Sequence, residues 1–127
     1  MIQQRIHHAL STFALVVGAT IISLPVLSAE TAFPAGEYGT GKVALTFDAN
    51  GRMRLNGDSG LLVDGQFVAH GDQIRLTDKS GPWACPSAQT GVYRWSYTDQ
   101  AMTFSKIDDP CDERSGSLVG QPWKRKK

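Results

Sequence analysis

Acidic side chains are missing from the start of this chain. Met1 to Ala29 holds no Asp or Glu, and Arg5 is its one Arg or Lys. The stretch from Ala9 to Leu27 is almost uncharged and rich in Ala, Leu, Val and Ile, with Pro25 near its end and Leu27-Ser28-Ala29 after it. A basic start, an apolar middle and a small-residue exit are the order of a secretory signal peptide. Cleavage is expected after Ala29. Because the apolar run is longer than an ordinary signal core, a retained membrane anchor is the alternative. The run has no Cys at its end, which argues against a lipid-anchored lipoprotein.

Histidine and cysteine are scarce. Beyond Ala29 there is one His, His70, and the chain has two Cys, Cys85 and Cys111. Two Cys and one His are too few for a structural zinc site, so a disulfide is the expected use in an exported chain. No Gly-x-Ser-x-Gly elbow, His-Glu-x-x-His pair or phosphate-cradling glycine loop occurs, and His70 sits at a strand end without a partner in sequence. No catalytic residue is assigned and no enzyme activity is expected. Neither a cofactor nor a metal is expected. The acidic group Asp108, Asp109, Asp112 and Glu113 fits no calcium-loop spacing and reads as a solvated turn eased by Lys106 and Arg114. Arg114 itself is expected to pair with a neighbouring carboxylate or to stack on a ring.

Basic residues are not spread through the chain. Lys124-Arg125-Lys126-Lys127 closes it, after a body that is net acidic. A polyanion partner needs basic groups across a folded face, so no nucleic acid is expected. The four residues read as a solvated tail. The organisation is then 1–29 signal peptide, 30–123 one β domain and 124–127 basic tail.

What is present after Ala29 is period-two patterning cut by turn residues. Lys42 to Phe47 alternates, Asp48-Ala49-Asn50-Gly51 carries the Asn-Gly hairpin signal, and Arg52 to Asn56 alternates again. A polar link from Gly57 to Gly60 precedes a strand at Gln66 to His70, which turns through Gly71-Asp72 into Gln73 to Thr77. A long break, Asp78 to Thr90, holds Pro82, Trp83 and Cys85. Gly91 to Tyr97 and Ala101 to Lys106 form the next pair. A second break carries Asp109-Pro110-Cys111, and the chain is expected to close with a weak strand from Ser115 to Trp123. Convincing helical periodicity is absent. Closely spaced strands imply an all-β, antiparallel up-and-down meander, closed or rolled into a small barrel with one disulfide.

Gly36-Glu37-Tyr38 ahead of the meander, and Arg114 before the last strand, resemble lipocalin-like (calycin) barrels of short secreted bacterial type. In those a Gly-x-Trp packs beside a late Arg to close one end, and Tyr38 stands here where the Trp would be. Gly91-Val92-Tyr93-Arg94-Trp95 with Asp109-Pro110-Cys111, Arg114 and Pro122-Trp123 is similar to a tail motif of uncharacterised secreted bacterial domains. Leu45 to Cys85 carries an echo of META domains of the envelope. The resemblance implies a calycin-like barrel with Tyr38 and Arg114 structural, while the N-terminal pattern implies a periplasmic or secreted location.

Tyr93, Trp95 and Tyr97 alternate along one strand and share a face. They are expected either to fill the core or to line a cavity with Trp83 or Phe67 opposite. The expected function is non-catalytic binding of a small apolar or amphipathic ligand. The rival is a secreted protein-interaction module, an inhibitor or envelope-stress factor, with a filled barrel. No stable membrane span is expected once the signal is removed, and no protein partner is specified. The export expectation is checked by N-terminal sequencing of secreted protein, which should begin at Glu30. Intact Met1 in a membrane fraction would establish the anchor instead.

Overall fold

The structure is a computed structural model that describes Ala14, residues 16–23 and residues 32–127. The expected cleavage site after Ala29 lies outside the described residues. Among those residues no helix is long and apolar enough to cross a membrane.

Eight antiparallel strands close into one barrel in the order β1 to β8. They are β1 Gly36–Gly39, β2 Ala44–Phe47, β3 Arg52–Gly57, β4 Gly60–His70, β5 Gln73–Ser80, β6 Gly91–Thr98, β7 Ala101–Asp108 and β8 Trp123–Arg125, with one helix, α1 Asp112–Leu118, before β8. The expected all-β meander is thus a closed barrel, and Cys85 is bonded to Cys111. Alternation places Leu45 and Phe47, Met53 and Leu55, Ile74 and Leu76, Tyr93 and Trp95, and Met102 and Phe104 in the interior.

An up-and-down meander sends alternate links to the same end. The β2–β3, β4–β5 and β6–β7 links are tight turns and share one end. At the first, Gly51 has φ +84°, and the Asp48 carboxylate accepts from the backbone N–H groups of Asn50 and Arg52. This is how Asn50-Gly51 turns the chain in so few residues. At the third, Asp99 and Gln100 both have positive φ, +53° and +63°, as a two-residue hairpin turn of the right twist requires. The long β5–β6 and β7–β8 links meet at the other end, which brings Cys85 within bonding reach of Cys111. Closing a loop across a separation of 26 residues stabilises by about 3–4 kcal/mol in the chain-entropy account.

Two elements differ from the sequence expectation. The segment expected as a weak strand is α1 followed by a turn and the three-residue β8. Two helical turns are too short to show a 3.6-residue period, and only Arg114 and Leu118, four apart, face inward. The stop signal was there: Gly120, φ +90°, directly follows the C-cap Val119. The second difference is β4, which begins at Gly60 rather than near Gln66. Register shifts beside Leu55 and Asp64 put Leu62 and Val63 both inside, so the strand does not alternate there.

Lys124 and Arg125 belong to β8, not to a free tail. Lys124 pairs with Gly39 and Ala101, and Arg125 pairs with Tyr38, which closes the barrel between β1 and β7. The Arg125 guanidinium lies over the Tyr38 and Tyr97 rings, 5.7 and 6.0 Å from their centroids, and donates to the Ala35 carbonyl. Removing Lys124 to Lys127 should therefore lower the thermal midpoint measured by circular dichroism. An unchanged midpoint would return these residues to the solvated-tail reading.

Candidate functional site

The two ends of the barrel are filled differently. At the tight-turn end Phe33, just before β1, packs edge-on to Phe47 and Trp95 and tilted against Phe67, with centroids 5.1, 5.3 and 5.3 Å away. Phe47 also stacks edge-on to Phe67 at 5.0 Å. The Trp95 indole N–H donates to the Gly71 carbonyl. These rings plug that end, each contact adding to the area it buries.

The opposite end is open inside. Beneath α1 and the Pro82–Trp83 segment lies a cavity of about 300 Å³. Its wall is apolar: Leu45 of β2, Met53 and Leu55 of β3, Val63 of β4, Leu76 of β5 and Trp123 of β8, with Leu118 of α1 above. Exposed Pro82, Trp83, Glu113 and Ser117 form the mouth. The Trp123 indole N–H donates to the Leu118 carbonyl and ties the last turn of α1 to the wall.

Arg114 is the buried cation of this end, and two buried carboxylates hold it. Arg114 Nε donates to Asp109 Oδ2 and Nη2 to Asp109 Oδ1, both at 2.8 Å, and Nη2 also donates to the Gln89 carbonyl at 2.7 Å. Arg114 Nη1 lies 3.2 Å from Asp78 Oδ1. Asp109 further accepts the Tyr93 hydroxyl on Oδ2 and the Cys111 backbone N–H on Oδ1, and Asp78 Oδ2 accepts the Cys85 backbone N–H. Each half of the disulfide is thus tied to one of Arg114's carboxylates. Gly91 leaves the room this needs, since a Cβ there would sit 2.5 Å from Asp109 Oδ2. Asp78 Oδ1 and Arg114 Nη1 face each other as the remaining ion pair of the cluster, and both are shut off from solvent.

The charges follow from this packing. Burial alone would raise the Asp109 carboxyl, but the Arg114 guanidinium, the Tyr93 hydroxyl and the Cys111 amide outweigh it and hold it below the usual range. Burial and the Asp109 carboxylate push the Tyr93 phenol far up. Burial would lower Arg114, and its two carboxylates raise it instead. Asp109 is therefore part of the core, not of a solvated acidic turn.

Of the residues expected to line a ligand site, Trp83 lies at the cavity mouth and the other four pack elsewhere. Tyr93 is fully buried on Asp109, Trp95 and Phe67 belong to the aromatic plug, and half-buried Tyr97 packs on Tyr38. The lining that sequence reasoning missed is aliphatic. Leu45, Met53, Leu55 and Leu76 were legible as inward-facing, but nothing in their spacing said that they face a void. Tyr38 is completely buried beneath Phe47 and Tyr97.

Fold and site together define a closed eight-stranded antiparallel barrel, plugged by aromatic rings at one end and hollow at the other. Compared with protein-family models, curated proteins and solved structures, the chain gives no match.

The signs of the two shifts set the pH profile of stability. Asp109, held low in the folded state, contributes stability above its unfolded value, and that contribution is lost as pH falls through the folded value. Tyr93, held high, contributes stability below its unfolded value of 10.0 that is lost as pH rises beyond it. Urea unfolding should give a plateau between about pH 5 and pH 10 with a decline on either side. Tyr93→Phe should flatten the alkaline limb in part, because Tyr38, also raised, remains. An alkaline limb identical to that of the unaltered protein would remove Tyr93 from this account.

Proposed function

We propose that this protein is an exported, non-catalytic, lipocalin-like binder that takes a small apolar or amphipathic molecule into the cavity under α1. The observation that carries the reading is the cavity itself: about 300 Å³ of space, lined by aliphatic side chains from several strands. Small-molecule sites run from about 300 to 1,000 Å³ and are mostly apolar with few polar groups. A well-packed interior leaves few voids larger than a water molecule. A pocket of this size, open to solvent between α1 and Pro82–Trp83, is room that a filled barrel lacks, and it favours the binding reading over the rival interaction module.

Export rests on the N-terminal pattern and gains support from the Cys85–Cys111 bond, since disulfides persist in oxidising compartments. The likeness to calycins gains support from the eight-stranded meander, a barrel size that accommodates one small ligand or its own side chains.

The indoles to watch are Trp83 and Trp123, which line the cavity, rather than Trp95. Octanol and octyl methyl ether should change the intrinsic fluorescence saturably and show contact with the protein in ligand-observed NMR. Val63→Phe, which places a ring in the cavity, should abolish both effects while the far-UV spectrum stays unchanged. Saturable binding that survives Val63→Phe in a folded protein would move the site elsewhere.

A further inference from the structure

The cavity is aliphatic inside, but its mouth is aromatic and negative. Trp83 stands there 55% exposed, whereas Trp95 and Trp123 are 8% and 1% exposed. Its backbone is nonetheless anchored: the Trp83 N–H donates to the Leu62 carbonyl and the Ala84 N–H to the Gly81 carbonyl. The ring is thus held in place while much of it faces water. Across the same mouth, α1 presents Glu113, exposed, and Ser117, whose hydroxyl donates to the Glu113 carbonyl and so keeps only lone pairs for a ligand. Among the described residues, no lysine and no arginine besides Arg114 lines the cavity. Every nitrogen of the Arg114 guanidinium already faces Asp109, Gln89 or Asp78. Two carboxylates around one guanidinium leave that cluster net negative, and Glu113 adds to it.

Resting on the binding reading above, we infer that the ligand is an organic cation, an ammonium or quaternary ammonium head on a compact apolar body. The body fills the aliphatic interior and the head stays at the mouth, where Trp83 and Glu113 meet it. An indole offers a cation the most favourable of the aromatic faces. The Glu113 carboxylate adds an attraction that falls with salt, because the mouth is wet. A head that keeps part of its water there also escapes most of the cost of burying a charge. An anionic head on the same body meets Glu113, the net negative cluster beneath it and no uncommitted guanidinium, so it is repelled. A neutral head is neither drawn nor repelled and binds through its tail. The mouth therefore selects by charge and the interior by size.

The test uses three probes with one tail, octyltrimethylammonium, octanol and octanoate, titrated into the disulfide-bonded protein at neutral pH and low salt by calorimetry. The cation should bind about fivefold more tightly than octanol and about tenfold or more tightly than octanoate. Its margin over octanoate should shrink when salt is raised to about 0.5 M. Both mouth residues are exposed, so their variants should fold, which the far-UV spectrum checks. Glu113→Gln should cut the margin over octanoate about threefold or more. Trp83→Leu, which keeps an apolar side chain at the mouth, should weaken the cation several-fold and leave octanol within about twofold. Octanol or octanoate binding as tightly as the cation overturns the inference, and so does a margin over octanoate that Glu113→Gln leaves unchanged. In those cases the cavity remains a binding site. If none of the three probes binds, the binding reading itself fails.

Discussion

Arg114 between Asp109 and Asp78 is the interaction on which one whole end of the barrel depends. A guanidinium is costly to bury and stays buried only when its donors are met. Here Asp109 accepts two of its donors and Gln89 a third contact, while Asp78 lies alongside. The two carboxylates come from different parts of the chain, β5 and the link after β7. Asp78 also accepts the Cys85 backbone N–H, and Asp109 the Cys111 backbone N–H and the Tyr93 hydroxyl. The covalent bond and the ionic cluster therefore fasten the same two links, one through sulfur and one through a single arginine. Breaking one partner of such a cluster leaves an uncompensated buried charge, at a typical cost of about 3–5 kcal/mol.

The same cluster explains why the barrel is hollow where it is. At the tight-turn end the chain supplies Phe33, Phe47, Phe67 and Trp95, whose rings occupy the interior. At the long-link end the cover is α1, a helix whose inner face offers only Arg114 and Leu118. Arg114 is held by the carboxylates, and the Leu118 carbonyl accepts from the Trp123 indole. The rings at this end, Trp123 and Trp83, stand in the wall and at the mouth, and the space beneath α1 stays open. An ionic clasp thus stands where a packed lid would otherwise be, and the cavity is its by-product.

Much of the fold was legible because it is written in period two. Val43 to Phe47, Met53 and Leu55, Ile74 and Leu76, and Tyr93 to Tyr97 alternate in sequence as they do in the barrel. Asn50-Gly51 marks a turn that only a residue at ease with positive φ completes so tightly. The links that carry the two cysteines are separated by one hairpin, so the meander alone implies that they share an end. What was not legible has physical causes. Where β4 bulges, Leu62 and Val63 face the same side and the alternation signal disappears. A seven-residue helix has too few turns to print a period. For the site, one-sided aromatics told of burial but not of which end they fill. An aliphatic stripe looks the same in sequence whether it meets other side chains or empty space. Asp78 and Asp109 looked like polar punctuation in loops. Only their distance to one arginine, set by three separate elements, shows them to be interior.

The pairing of β8 with β1 has a consequence for the order of events in the life of the chain. Tyr38 meets Arg125, so the seam joins segments almost a full domain apart in sequence. Until Arg125 has emerged from the ribosome, β1 and β7 remain raw edges and the cylinder cannot seal. Contacts of such long range are slow to form, because the ends of a long loop must find one another first. A chain of this topology stays unsealed until its last strand is in place between β1 and β7.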